Sequence, residues 1–340
     1  MSRSYGRYAL LRAAQAVIVI LLAYVATFLV ISVLPGDPIT TMLRDPQNGL
    51  TDDEIQRVVS HYGLDKPVVI QLILSLGRFV TGDLGFSLQS NLPVSQLLGD
   101  ALPSTLTLAG TALLLSVMIA VVIAYGVQYL PSRWARGVLR SVPSLFLSVP
   151  NFVVGLILIE IFAFRLHVFT TIDPDSAAAT LFAALTLAIP VAAPLAEVLI
   201  ANLDHESRQE YAVVARSRGL SQARLFARHL VKPSMLPAVA MIALIVGELL
   251  GGAVITETIF GRDGLGTVVQ KAVTSQDVPV LQAVVSLAAV VFVTVNLFAD
   301  LASPLLDPRL DAKARPKVKS ERDAPSERDA TPERELEVPA

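Results

Sequence analysis

Four glutamate side chains lie inside long apolar stretches of this chain, where ionisable groups are costly. Glu197 and Glu248 are the deepest by count along their stretches, and Glu160 and Glu257 lie nearer an end. A charge at the centre of a bilayer costs about 2.5–3.5 kcal/mol on insertion scales, so such residues usually face protein or water. We therefore interpret these four as candidates for a water-filled pathway or a subunit interface. Protonation, or a bond to a neighbouring helix, is the competing interpretation.

The sequence carries no pattern typical of an enzyme. Nothing matches the phosphate-binding motif G-x-x-x-x-G-K-[ST], and the nearest glycine cluster, residues 261–266, lacks the lysine. The four histidines are scattered without metal-ligand spacing, no serine lies in a nucleophile-elbow pattern, and there is no cysteine. We predict that the chain is not an enzyme, binds no cofactor or metal, and does not itself hydrolyse ATP.

The elements that must position these residues are predicted to be membrane-spanning helices. Hydrophobic residues make up 53% of the 340 residues and charged residues 16%, against about 25% charged in a soluble domain. A helix needs about 20 apolar residues to cross a bilayer, and backbone amides in hydrocarbon must bond internally. We predict an all-α membrane protein with six transmembrane helices. They cover residues 13–34, 104–130, 141–164, 178–203, 236–260 and 280–303.

Cations concentrate on one side of these spans, and cytoplasmic loops carry the excess of lysine and arginine. The predicted cytoplasmic regions, which include both termini, are 1–12, 131–140, 204–235 and 304–340. The predicted external regions are 35–103, 165–177 and 261–279. No small-residue cleavage site follows the first span, which favours a retained anchor over a signal peptide. Tyr125, Tyr129 and Trp134 lie at the inner end of the second span, as in an interfacial aromatic belt.

The long external region is predicted to form a small helical domain. Thr51 and Glu54 form a capping box that starts a helix ending near Gly63. A second, amphipathic helix over residues 68–79 is expected to lie along the outer membrane surface. The domain contacts either the outer gate or a delivering protein, or it is a lid that only packs on the spans. The charge-rich tail from residue 311 is predicted to be disordered.

The cytoplasmic loop 204–235 has the strongest local pattern. Residues 206–218 are predicted to be helical, Gly219 lies where a left-handed C-terminal cap would, and Ser221 caps a second short helix. One side of that second helix carries three apolar residues: Leu225, Phe226 and Leu230. We predict a rigid helical hairpin that projects into the cytoplasm. A cationic loop that only enforces topology would explain the arginines but not this two-helix organisation.

These residues resemble the permease subunits of binding-protein-dependent ABC importers, specifically the dipeptide, oligopeptide and nickel branch. The resemblance runs from about Arg7 to Leu310. The segments that carry it are Leu34-Pro35-Gly36-Asp37-Pro38, Tyr62-Gly63-Leu64-Asp65-Lys66-Pro67, Gly82-Asp83-Leu84-Gly85-Phe86-Ser87, residues 210–221 and Leu306-Asp307-Pro308-Arg309. Three further segments also fit: Gly251-Gly252-Ala253, Glu257-Thr258-Ile259-Phe260 and Gly264-Leu265-Gly266.

The resemblance implies that the hairpin is the EAA motif, which docks in a groove of the ATPase subunit. Val213 occupies the position of the glutamate that gives the motif its name, and Lys232 replaces the usual leucine. Ala215 and Gly219 match the motif's alanine and glycine. The implied ATPase-coupling residues are Glu210, Tyr211, Ala212, Ala215, Arg216, Gly219, Leu220, Ser221, Pro233 and Pro237.

The resemblance also implies a fold, partners and an activity. The fold is that of type I ABC importer permeases in the bacterial inner membrane, surrounded by lipid. The implied partners are a second permease subunit, one or two ATPase subunits that bind ATP and Mg²⁺, and an external substrate-binding protein, with no nucleic acid. Peptides are the implied substrate, and nickel chelates, haem or another small solute are alternatives. A secondary transporter is a further alternative, but it needs no docking hairpin and usually shows internal repeats.

Overall fold

The computed structural model describes residues 3–33, 51–62 and 66–306, and this part of the chain is helical. Its α-helices are α1 Arg3–Val33, α2 Asp52–Tyr62, α3 Val68–Thr81, α4 Val94–Tyr129, α5 Arg133–Ser148, α6 Asn151–Leu158, α7 Ala177–Ser207, α8 Glu210–Ser217, α9 Gln222–Leu225, α10 Val231–Phe260, α11 Leu265–Thr274 and α12 Val278–Leu306. Two π-helical turns, Ile159–Arg165 and Phe226–Leu230, follow α6 and α9.

Four of the described helices are long and apolar enough to cross a membrane. They contain or consist of Tyr8–Val30, Val94–Tyr129, Ala177–Ser207 and Val278–Leu301. Two bent helix pairs bring the number to six if each pair is one span: α5 with α6, at 98°, and the second half of α10 with α11, at 82°. The described chain therefore has four to six candidate spans.

The predicted third span, 141–164, is not one helix. It crosses the break between α5 and α6, where Val149 is extended (φ −108°, ψ 122°) and Pro150 precedes the first residue of α6. Proline lacks the amide hydrogen that helix propagation needs, and its ring disfavours helical backbone in the residue before it. The composition of this stretch is therefore apolar enough for a membrane span. The stretch nevertheless folds into two helices that meet at nearly a right angle.

Helix α7 lies at the centre of the buried core and packs against α4, α5, α6 and α10. Its inward side is rich in alanine, which lets neighbouring backbones approach closely. Glycines of the facing helices serve the same purpose. A Cβ at Gly252 of α10 would lie 2.8 Å from Leu187 of α7, and one at Gly155 of α6 would lie 3.1 Å from Thr186. These contacts hold α6, α7 and α10 together as one unit.

Helices α1 and α12 pack together along their length, side by side in opposite directions. Gln282, near the start of α12, donates a hydrogen bond to the Tyr24 carbonyl (3.1 Å), and the Tyr8 hydroxyl donates to the Asp300 carbonyl (3.3 Å). The beginning of α1 and the end of α12 therefore lie at the same end of the bundle.

The two helices predicted between the first and second spans are both present. Helix α2 begins directly after Thr51, whose carbonyl accepts the Ile55 amide (3.0 Å). Helix α3 packs on α1, where the ring of Phe79 stacks on Tyr24 with centroids 4.6 Å apart. The location of α3 along the outer membrane surface stays a prediction. Gly63, the motif at 34–38 and the tail from residue 311 lie outside the described residues.

Candidate coupling hairpin and membrane carboxylates

The hairpin begins where α7 ends, at Ser207. The predicted continuous helix over 206–218 is interrupted here, because Gln209 is extended (φ −65°, ψ 150°) and α8 begins at the next residue. The last carbonyls of a helix have no partner within the helix and need one elsewhere. Arg216 supplies it by donating from Nη2 to the Ser207 carbonyl (2.8 Å). This bond fastens the far end of α8 to the end of α7.

Gly219 ends α8 as the sequence predicts. Its backbone is left-handed (φ 79°), and two hydrogen bonds close the turn: Gly219 N–H to the Arg216 carbonyl (2.9 Å) and Leu220 N–H to the Ala215 carbonyl (3.2 Å). These are the two bonds of a Schellman motif, in which glycine avoids the strain that a Cβ would create. The hairpin therefore has a fixed bend.

Ser221 differs in part from its prediction. It occupies the residue before α9, and its carbonyl accepts the Leu225 amide (2.9 Å), but its side chain makes no capping hydrogen bond in the described structure. Serine is common at this position because its hydroxyl can accept from the first turn. Here the helix runs on into the π-helical turn and α10, so its stability comes from packing.

The hairpin has two limbs: the first is α8, and the second is α9 with the π-helical turn that follows it. Apolar side chains anchor the second limb in the bundle. Leu225 and Leu230 are each 1% exposed, and Ala212 of the first limb is fully buried. The Phe226 ring meets two tyrosines of α4 edge-on, with centroid distances of 5.1 Å to Tyr125 and 5.4 Å to Tyr129. Ring pairs in this arrangement contribute about 0.5–1.5 kcal/mol beyond the area they bury.

Two of the three aromatic residues predicted for an interfacial belt also pack against the hairpin. Tyr125 and Tyr129 form a three-ring cluster with Phe226 of the hairpin. Trp134 is 79% exposed, and its place in an interfacial belt stays a prediction. The tyrosines could not be separated from Trp134 by sequence, because their partner lies about a hundred residues further along the chain.

Tyr211 closes the first limb of the hairpin. Its hydroxyl donates to Glu206 Oε2 at 2.6 Å. Partial burial, the hydrogen bond to Glu206 and the negative charge of that carboxylate raise the pKa of Tyr211 well above its ordinary value. The hydroxyl therefore stays protonated and remains a donor at physiological pH.

The predicted coupling residues divide into an anchored set and an exposed set. Ala212 is buried, and three are half-buried: Ala215, Leu220 and Pro233. Six are exposed: Glu210, Tyr211, Arg216, Gly219, Ser221 and Pro237. Between them, Val213 and Val214 are 53% and 47% exposed. Exposed branched apolar side chains on a loop are suited to contact with a partner protein.

A polar cluster that sequence reasoning missed lies beside the hairpin. Asp204, one turn before the end of α7, accepts a hydrogen bond from Gln128 of α4 and forms an ion pair with Arg140 of α5 (2.8 Å). Arg140 and Asp204 are both partly exposed, so the ion pair itself contributes little stability. Its effect is geometric, because it sets the ends of α4, α5 and α7 relative to one another.

Glu197 and Glu248, the two deepest carboxylates, are exposed on the surface of the single chain. Neither forms a hydrogen bond or ion pair with any residue that the structure describes. A bond to a neighbouring helix of the described chain therefore does not explain them. Glu160 is also exposed, but it forms an ion pair with Arg165 in the π-helical turn (3.1 Å).

Glu257 lies in a different environment from the one predicted, because its carboxylate is fully buried. Thr105 donates its hydroxyl to Oε1 and the Gly266 amide donates to Oε2, both at 2.6 Å. The Thr105 oxygen in turn accepts the Leu265 amide (2.8 Å). A buried carboxylate is stable when its oxygens accept such bonds. Glu257 is therefore a structural tie between α4, α10 and α11 and does not line an open pathway.

The glycine cluster that fails as a phosphate loop has a structural function here. A Cβ at Gly264 would overlap the Glu257 carboxylate, and one at Gly266 would overlap the Val254 backbone. Arg262 of the same cluster is 1% exposed and donates to the Pro174 carbonyl (2.6 Å) and the Thr180 hydroxyl (2.8 Å). The cluster wraps the end of α10 around Glu257, and nothing in the local sequence indicated that Arg262 is buried.

A second tie fixes the loop after α3 to the start of α12. Ser87 and Asp277 are 3% and 2% exposed, and the Ser87 hydroxyl donates to Asp277 Oδ2 at 2.6 Å. Asp277 also accepts the Gln89 amide (3.3 Å). This end of the bundle, opposite the hairpin, is therefore held by two buried carboxylates.

The region that contains the hairpin and all four membrane carboxylates matches a known family. Residues 112–312 match the family described as binding-protein-dependent transport system inner membrane component. The chain belongs to this family. It is a permease of an ABC importer and a multi-pass protein of the bacterial inner membrane.

Full-length relatives agree with this family. The chain is 29% identical over 307 residues to a putative peptide transport system permease protein of Brucella abortus, covering 88% of this chain and 97% of the relative. It is also 29% identical over 307 residues to a glutathione transport system permease protein of Salmonella choleraesuis, covering 90% and 99%. A glutathione permease of Escherichia coli is 29% identical over 289 residues, covering 85% and 94%.

Proposed function

We propose that this permease moves peptides across the inner membrane by alternating access driven by partner ATPase subunits. In this proposal the ATPases bind ATP and Mg²⁺, a second permease completes the pathway, and an external binding protein delivers the substrate. ATP binding can shift the equilibrium between the inward-open and outward-open states only by the difference in interaction free energy that it has with the two states. The element that carries those contacts must therefore be rigid and attached to the bundle at a defined place.

The anchored hairpin is the observation that carries this proposal. One surface of α8 presents Val213 and Val214 to the outside, whereas Phe226 on the other limb packs on the tyrosines of α4. Arg216 also ties α8 to the end of α7. A force applied to the exposed valines would thus reach α4 and α7 through short, packed contacts. A loop that only sets topology needs neither the exposed valines nor the anchor.

Six spans with both termini in the cytoplasm complete the proposal. The beginning of α1 and the end of α12 lie at one end of the bundle, which supports termini on the same side. In this count each of the bent pairs α5–α6 and α10–α11 contributes one membrane crossing. The arginine-rich hairpin then faces the cytoplasm, as the positive-inside rule predicts.

Docking of the hairpin can be measured by thiol protection, since the chain has no native cysteine. In a Val213→Cys variant, we expect maleimide labelling to slow at least tenfold when the ATPase subunits are assembled. Gly137→Cys is the matched control, because Gly137 is exposed on α5 outside the hairpin and has open space around it. Labelling of Val213→Cys that is unchanged by the ATPases would contradict docking.

Glu248 is proposed to face the pathway that the two permeases form. We expect Glu248→Gln to lower peptide uptake by up to about tenfold, which corresponds to about 1.4 kcal/mol in the rate-limiting barrier. Glu160→Gln is the control. The ion pair with Arg165 accounts for the Glu160 carboxylate without a pathway role, so we expect this variant to leave uptake unchanged. Initial rates of uptake into proteoliposomes measure both. Unchanged uptake in Glu248→Gln would remove it from the pathway.

Peptides are proposed as the substrate because the relatives named above are peptide and glutathione permeases, and glutathione is itself a tripeptide. Nickel chelates, haem and other small solutes are the alternatives within the same type of complex. Ligand binding to the cognate binding protein separates them. Dipeptides, glutathione, nickel–histidine chelates and haem should be compared by calorimetry, and tight binding of only a non-peptide ligand would overturn the peptide assignment.

A further inference from the structure

Helix α5 has a position and composition that the transport proposal does not use. It begins after Ser132, whose hydroxyl accepts the Ala135 amide (3.3 Å), and it meets α6 at 98°. Helix α6 packs along α7, one of the candidate spans. A helix perpendicular to a membrane-crossing segment runs along the membrane surface, so α5 lies in the plane of the interface at the hairpin end of the bundle.

Two of the three arginines of α5 are not neutralised by an acidic side chain of the described residues. The side chains of Arg133 and Arg136 form no ion pair or hydrogen bond with a described residue, and Arg140 is paired with Asp204. The helix contains no acidic residue. Two cationic side chains within one turn of each other therefore have charge available for an anion.

The outward face of α5 is also apolar. Trp134, Val138 and Leu145 are 79%, 48% and 61% exposed, and their spacing places them in one stripe along the helix. The opposite face is occupied, since Pro143 is buried and Leu139 packs against Gly126 of α4. The arginines lie on a separate face, about 120° or more around the helix from this stripe. A helix with distinct apolar and cationic faces and a tryptophan near its end has the composition of one that lies in a membrane interface.

We propose that α5 is an interfacial helix that binds the anionic phospholipids of the cytoplasmic leaflet. Arg133 and Arg136 bind headgroup phosphates, and the apolar stripe of Trp134, Val138 and Leu145 enters the boundary between headgroups and acyl chains. This inference rests on the proposed orientation, in which the hairpin end is cytoplasmic. Each arginine near an anionic surface contributes about 1 kcal/mol, or roughly a fivefold preference for anionic over zwitterionic lipid.

Trp134 makes this proposal testable in the full-length chain, because it is the only tryptophan. The chain is placed in nanodiscs that contain a fixed fraction of lipid brominated in the acyl chain, either phosphatidylglycerol or phosphatidylcholine. We expect Trp134 emission to be quenched in both and more strongly when the brominated lipid is the anionic one. In Arg133→Gln/Arg136→Gln the anionic preference should fall, by roughly fivefold for each arginine removed.

Arg224→Gln is the matched control, because it removes an exposed cation from the hairpin and leaves α5 unchanged. Inorganic phosphate should not alter the preference of Trp134 quenching for anionic lipid if the bilayer is the partner. A chloride solution of equal ionic strength is the reference for this comparison. Absence of quenching would overturn the interfacial position, and equal quenching by both lipids in the unmodified chain would overturn the headgroup site. An emission change that appears only on addition of the ATPase subunits would show that α5 contacts protein instead. The nanodisc measurement involves no transport, so its failure leaves the coupling proposal standing.

Discussion

Replacement of Gly219 by valine is expected to stop peptide uptake while the partner ATPases continue to hydrolyse ATP. Gly219 is left-handed (φ 79°), and a side chain there costs about 1–2 kcal/mol in backbone strain, most of all for a β-branched residue. No heavy atom lies within 4 Å of where its Cβ would be. The expected defect therefore comes from loss of the fixed bend and not from a clash inside the chain.

Two control variants distinguish the loss of the left-handed bend from the effect of added side-chain volume. Gly219→Asn should retain much of the uptake, because asparagine tolerates left-handed backbone better than other non-glycine residues. Gly137→Val adds the same bulk at an exposed helical position with open space and should behave like the unmodified chain. Uptake of a labelled dipeptide mixture and ATP hydrolysis are measured in the same proteoliposomes. Normal uptake by Gly219→Val would count heavily against a rigid coupling hairpin.

Replacement of Glu257 by alanine is expected to have the largest effect on stability. The change leaves the Gly266 amide and the Thr105 hydroxyl without their buried acceptor, at about 1–3 kcal/mol for each unsatisfied group. It also leaves a cavity at the junction of α4, α10 and α11. The fraction of monodisperse protein after heating in detergent measures the loss.

The Glu257 experiment has a rescue and a control. Glu257→Gln should keep most of the stability, since its amide can accept from Gly266 and donate to the Thr105 oxygen. Glu160→Ala removes a carboxylate from an exposed ion pair, which is worth about 0–1 kcal/mol, and should change little. If Glu257→Ala were as heat-resistant as Glu160→Ala, the buried tie would not hold this end of the bundle together.

Local patterns in the sequence were sufficient for the helices and for the bend of the hairpin. Apolar stretches of about 20 residues predict helices in a membrane whatever their neighbours are. The left-handed cap at Gly219 depends on a few adjacent residues, and the structure confirms it. Pro150 indicates the break in the stretch 141–164 by an equally local rule. The prediction of a single span there used apolar content alone and therefore missed the break.

The roles of the carboxylates and tyrosines depend on contacts that are distant in sequence. Glu248 and Glu257 belong to the same helix and look alike in the sequence, yet one is exposed and the other is bonded to Thr105, 152 residues away. Tyr125 and Tyr129 look like an aromatic belt until Phe226 packs against them. Only the packing of α4 against α10 and the hairpin distinguishes these cases.

Uptake into proteoliposomes, with components omitted one at a time, tests the central claim most directly. The claim is that ATPase subunits, acting through the hairpin, drive this bundle between its inward-open and outward-open states. A labelled dipeptide mixture should enter only when both permeases, the ATPases, the binding protein and ATP are all present. Accumulation by vesicles that contain this chain alone, without nucleotide or companion subunits, would contradict the account and indicate a secondary transporter.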